Sequence, residues 1–135
     1  MATWKDLYSS DEPLPEGHLY IKSHCNVAGT TFRLEHVTAW AYSSNRSLEL
    51  ERDPDNEHDK NAIKVIGVSE GMRGVTKWHI GYVDVRTATI EIGRSKSDFK
   101  DMKVLLRRIA VLKGFFGFGR AKAYAITYAV IVKDT

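Results

Sequence analysis

The segment Glu51 to Val65, ERDPDNEHDKNAIKV, constrains the fold more than any other stretch of this chain. Before it, Ser47 to Arg52 alternates and points Leu48 and Leu50 to one side; after it, Ala62 to Val68 does the same with Ile63 and Val65. Two half-buried strands therefore flank a polar loop. The Asp and Asn side chains of that loop can fold back onto its own backbone N–H groups, which makes it a rigid turn rather than a slack connection. With 135 residues, 43% of them apolar, the chain has the material for one domain around this core and not for two.

The remaining pattern is also mostly β. Leu19, Ile21 and Val27, with Thr30 and Thr31, predict an extended strand from Leu19 to Phe32. Leu34, Val37, Trp40 and Ala41 recur at spacings of three and four, the signature of one face of a short helix, with Trp40 as a core anchor. A glycine-rich turn over residues 69–76 leads into the strand KWHIGYV, Lys77 to Val83, after which Asp84 caps a helix running through Ile90 and Ile92. Residues 93–97 read as a loop. Met102 to Leu112, the GFFGFGR tip and Ala121 to Val132 together predict a long β-hairpin. Residues 1–17, polar and broken by Pro13 and Pro15, are expected to be a flexible lead-in to a domain spanning 18–135. The expected fold is α+β and mostly β: a small OB-like or SH3-like β-barrel of about six strands with two short helices.

Charge is unevenly placed. Residues 1–85 carry nine Lys and Arg against thirteen Asp and Glu, whereas residues 86–122 carry ten against three. An asymmetry of that kind suits a polyanionic partner approached from one side. Other classes of function lose support. The start lacks the basic and apolar regions of a secretory signal and no run is long and apolar enough to span a bilayer, so an intracellular protein without membrane attachment is expected. The single cysteine, Cys25, allows no internal disulfide and reads as a quiet buried thiol. The loop acids Asp53, Asp55, Glu57 and Asp59 alternate as in a calcium loop, but His58 stands where that loop needs its sixth-position Gly and Lys64 where it needs Glu. The five histidines show no ligand-pair spacing. Neither a metal nor another cofactor is expected.

Taken together, VAGTTF (Val27 to Phe32), a short helix, LELERDPDNEHDKNAIKV (Leu48 to Val65) and IGYV (Ile80 to Val83) resemble the HIRAN domain, here of the stand-alone bacterial or phage type. The resemblance covers roughly residues 19–132. It implies a modified OB-like barrel that binds single-stranded DNA by its free 3′-hydroxyl end and is not an enzyme. On this resemblance Asp59 receives the 3′-hydroxyl, His58 offers a flat ring, Phe32 stacks on a base, and Lys60, Asn61 and Tyr82 complete the site. Two departures weaken phosphate binding: Thr31 stands where family members that bind DNA carry Arg, and Asp84 and Val85 stand where they carry lysines.

A second candidate surface is the hairpin tip, where Phe116 and Phe118 sit among glycines with Lys113, Arg120 and Lys122 beside them; stacking aromatics in a basic frame suit single strands. Two alternatives come from other classes. Pro54-Asp55 with the distant Asp98-Phe99-Lys100 loosely matches the ligands of a metal-dependent nuclease. An exposed sheet edge would suit a protein-interaction module that has lost DNA binding. For the leading reading, DNA repair, replication-fork or mobile-element processing is the expected setting, with a helicase or nuclease encoded separately as the companion.

Overall fold

The computed structural model describes residues 2–114 and 119–134. Among the described residues, seven strands form two antiparallel sheets. The first has the order β1 (Thr3–Ser9), β6 (Lys103–Lys113), β7 (Ala121–Lys133) and β2 (His18–Asn26); the second has the order β3 (Arg46–Arg52), β4 (Ile63–Gly71) and β5 (Gly74–Tyr82). Helix α1 (Leu34–Ala41) lies between β2 and β3 in the chain, preceded by a 3₁₀ turn at Thr30–Arg33. A π-wound segment, Thr87–Ile92, and a second 3₁₀ turn, Phe99–Asp101, fill the path from β5 to β6.

The core lies where the two sheets and α1 meet. Ile63, Val65 and Ile80 from the three-stranded sheet, Ile109, Ile126 and Val130 from the four-stranded sheet, and Val37 and Trp40 from α1 are all fully or almost fully buried. Each such side chain contributes about 1.5–3 kcal/mol through removal from water. Trp40 is accommodated because β4 carries Gly67 under the indole: a Cβ there would lie 2.6 Å from the ring. The indole Nε1 donates to the carbonyl of Val68 at 3.1 Å, so the one polar atom of this large buried group is satisfied.

The mostly β, α+β class is the one the pattern predicts, and the Met102–Val132 region is a hairpin as expected. Asp84 also behaves as a cap, its Oδ2 accepting from the Thr87 N–H at 3.0 Å. Four expectations change. The glycine-rich turn expected over residues 69–76 shrinks to Met72 and Arg73, because Ser69–Gly71 and Gly74–Thr76 pair as strand ends. The barrel is open: β3 and β6 approach each other, with Ser47–Leu50 facing Met102–Val104 across a groove, but the strands do not pair into a closed ring. The N-terminal segment is not only a lead-in, because Thr3–Ser9 forms the edge strand β1, which pairs antiparallel with β6 from Thr3 opposite Lys113 to Ser9 opposite Arg108. The strand expected from Leu19 to Phe32 ends at Asn26, and Thr30–Arg33 coils into the 3₁₀ turn.

Candidate nucleic-acid interface

The loop between β3 and β4 is fastened by its own polar groups. Asn56 Oδ1 accepts from the backbone N–H groups of His58 and Asp59 at 2.9 and 3.0 Å, and Asp59 Oδ1 accepts from the Asn61 N–H at 2.9 Å. The Asp53 N–H donates to the Ala62 carbonyl at 2.9 Å and closes the base of the loop. These are the Asx turns that the sequence predicts. They hold His58, Lys60 and Asn61 exposed and Asp59 half-buried. Among the described residues, the second carboxylate oxygen of Asp59, Oδ2, has no hydrogen-bond partner.

Tyr82, at the end of β5, ties this loop to the segment after β2. Its hydroxyl donates to Asp53 Oδ2 at 3.1 Å and accepts from Asn56 Nδ2 at 3.5 Å. Its backbone exchanges two 2.8 Å hydrogen bonds with Ala28. That approach is possible only because Gly81 precedes it, since a Cβ at Gly81 would lie 2.4 Å from the Ala28 carbonyl oxygen. A β-bulge aims the ring. Val65 pairs with Gly81 and Ile66 with His79, which leaves Ile80 as the extra residue. Positions 79 and 82 would alternate to opposite faces of a regular strand; the bulge brings them to one face, where the rings meet edge-on with centroids 4.8 Å apart. His79 Nε2 donates to the Gly81 carbonyl at 2.8 Å. Burial, and next the charge of Arg33, hold His79 below the usual imidazole range.

The 3₁₀ turn completes the cluster. Phe32 is 90% exposed, so core packing does not account for it. The next residue, Arg33, places its guanidinium 5.9 Å from the centroid of the Tyr82 ring. A continuous chain of contacts thus runs from the Phe32 turn through Arg33 and Tyr82 to Asp53, Asn56 and the His58–Asp59 backbone. It assembles an exposed aromatic, a cation and a carboxylate with an unused oxygen.

Of the residues singled out in the sequence, Phe32, His58, Asp59, Lys60, Asn61 and Tyr82 belong to this neighbourhood. Arg120 lies elsewhere, in a groove beside α1. Phe116 and Phe118 fall outside the described residues. Sequence reasoning read the Asx turns but did not single out Asp53 and Asn56 as the side chains that tie the loop together and join it to Tyr82. Arg33 was missed as well. It supplies a cation two residues from Thr31, where the family pattern would have put one. Cys25 is buried, and burial, followed by the nearby Asp84, pushes its thiol up to about 12, which keeps it protonated and unreactive.

The cations of the last third do not gather on one basic face. Arg107 bonds to the Glu12 carbonyl and the Tyr20 hydroxyl, and Arg108 pairs with Asp6 at 2.7 Å, so both serve the N-terminal segment. Lys96, Lys100 and Lys103 line one groove together with Lys133. Lys113 and Arg120 line another, against α1.

The HIRAN domain family model matches residues 22–91, just over half of the chain, and the chain belongs to that family. The match runs from β2 through the π-wound segment and contains every residue of the Tyr82 cluster and its loop. The crystal structure of the HIRAN domain of human HLTF is similar at 21% sequence identity, covering 90% of this chain and 84% of that one, with a TM-score of 0.39. No curated protein matches the chain.

Proposed function

We propose that this HIRAN domain holds single-stranded DNA by a free 3′-hydroxyl end and does not cut it. The observation that carries the proposal is the state of Asp59: one carboxylate oxygen is engaged in holding the loop, and the other has no partner among the described residues. An ionised carboxylate only accepts hydrogen bonds, so it accepts one from the O–H of a terminal hydroxyl, while an added phosphate offers no such donor and is repelled. His58 and Phe32 provide exposed rings for the terminal bases, and Arg33 provides a positive charge beside them.

Such a domain selects ends by charge and hydrogen bonding rather than by base sequence. It would hand the captured end to an enzyme encoded separately, in repair, fork or mobile-element processing. Anisotropy with a 5′-labelled oligonucleotide in EDTA, followed by addition of magnesium, tests the proposal. Capture without cleavage is expected, and Asp59→Ala should weaken capture by about 1.5–3 kcal/mol, the range for a hydrogen bond to a charged group, with a stability cost of about 1 kcal/mol from loss of the bond between Asp59 Oδ1 and the Asn61 N–H. Cleavage dependent on magnesium would overturn it in favour of a nuclease.

A further inference from the structure

The groove beside α1 is a concavity of about 790 Å³ that the Asp59 site does not use. Leu34, Thr38 and Tyr42 follow one another at intervals of four and form a single stripe along its wall. Opposite stand Lys113 and Arg120, the two neck positions of the β6–β7 hairpin, and Glu35 adds an acidic group to the lining. Tyr42 is 52% exposed, and Lys113 Nζ lies 5.7 Å from its ring centroid. The groove therefore combines an open aromatic ring with two cations, the pairing that receives successive bases and phosphates of a single strand.

Its position matters as much as its lining. The near end, Leu34, is two residues from Phe32, and the far end, Tyr42, is eight residues further along the helix, about 12 Å at 1.5 Å per residue. At about 3.4 Å per stacked nucleotide, that length accommodates three to four nucleotides. We infer that the α1 groove is a track for the nucleotides 5′ to the captured end, with Tyr42 as a stacking platform and Lys113 and Arg120 as its phosphate contacts. This inference rests on the proposed end binding. The groove lined by Lys96, Lys100, Lys103 and Lys133 is the competing route; it offers positive charge, but Asp98 and Asp101 share its lining and no Phe, Tyr or Trp does.

Oligothymidylates of two to eight nucleotides with free 3′-hydroxyl ends separate the possibilities. Affinity should rise with length and level off near five or six nucleotides. Tyr42→Ala should weaken the eight-mer roughly tenfold or more and leave the dinucleotide unchanged, whereas Asp59→Ala should weaken both. Lys113→Ala with Arg120→Ala should flatten the salt dependence of the eight-mer by about 0.7 in log–log slope for each phosphate no longer neutralised. The track is overturned if Tyr42→Ala binds the eight-mer like the parent, or if the gain with length disappears only when Lys96, Lys100 and Lys103 are replaced by Ala. Photocrosslinking from 5-iododeoxyuridine at the fourth or fifth nucleotide gives a second check: attachment to Tyr42 supports the track, and attachment within residues 96–103 contradicts it. Loss of the Tyr42 effect with the Asp59 effect intact refutes the track alone; indifference to Asp59 with Tyr42-dependent binding of the eight-mer refutes the end reading alone; no binding at any length refutes both.

Discussion

The acidic loop at residues 53–62 and the cationic arm β6 are both stretches dominated by one sign of charge, and the fold treats them in opposite ways. In the loop, the chain turns on itself, and side chains a few residues apart remain neighbours: Asp53, Asn56 and Asp59 share hydrogen bonds within one compact turn. Along β6 the chain is extended, so its eleven residues cover about 36 Å at 3.3 Å each and alternate between faces. Lys103 reaches one groove and Lys113 another, while Arg107 and Arg108 engage the N-terminal segment. A run of like charge in sequence becomes a site only where the backbone turns. Along a strand it becomes several small ones.

The turn-bearing side should respond most strongly to substitution. Gly81→Ala puts a Cβ into the Ala28 carbonyl and should cost about 1–3 kcal/mol of stability, read as a lower urea midpoint, with loss of end binding because the Tyr82 bridge opens. Phe32→Ala should separate function from folding. With the ring in solvent, stability should stay within about 0.5 kcal/mol of the parent, while binding of DNA ends weakens by about 1–3 kcal/mol. Asn56→Ala removes the shared acceptor of the His58 and Asp59 N–H groups and should cost about 1 kcal/mol, with end affinity falling as the loop loosens.

On the cationic arm the same kind of change should do little. Arg108→Ala breaks an exposed pair with Asp6 and should change stability by about 0.5 kcal/mol or less, with no change in the salt dependence of DNA binding. The smallest effect belongs to His79. Its folded value lies below the unfolded one, so the stability it contributes is present above pH 6.5 and is lost as pH falls through the folded value. Thermal midpoints measured from pH 7 to 5 should decline, and His79→Gln should make that decline shallower.

Much of the fold was legible because alternation and helical spacing are local signals. The strands around Leu48, Ile63 and Ile80, the Trp40 face of α1 and the Asp84 cap all follow from residues within one element. β1 escaped because its apolar residues, Trp4, Leu7 and Tyr8, do not alternate: Trp4 is exposed, Leu7 and Tyr8 pack against the core, and the register shifts between Asp6 and Tyr8. The Thr30–Arg33 turn escaped because Thr-Thr-Phe favours an extended chain by composition, while the Ala28–Tyr82 bridge redirects it by contact. The candidate site divides in the same way. Its loop could be read from the spacing of Asp and Asn, whereas the approach of Arg33 to Tyr82 depends on a bulge at Ile80 and on a glycine at position 81, neither of which marks itself in sequence.

The claim that Asp59 reads a terminal hydroxyl is tested most directly by two oligonucleotides that differ only at the 3′ end, one with a hydroxyl and one with a phosphate, titrated against the parent protein and Asp59→Ala. The parent should prefer the hydroxyl by about tenfold or more, corresponding to about 1.5–3 kcal/mol, and the variant should lose most of that preference. Equal affinity of the parent for the two ends would show that Asp59 does not read a terminal hydroxyl.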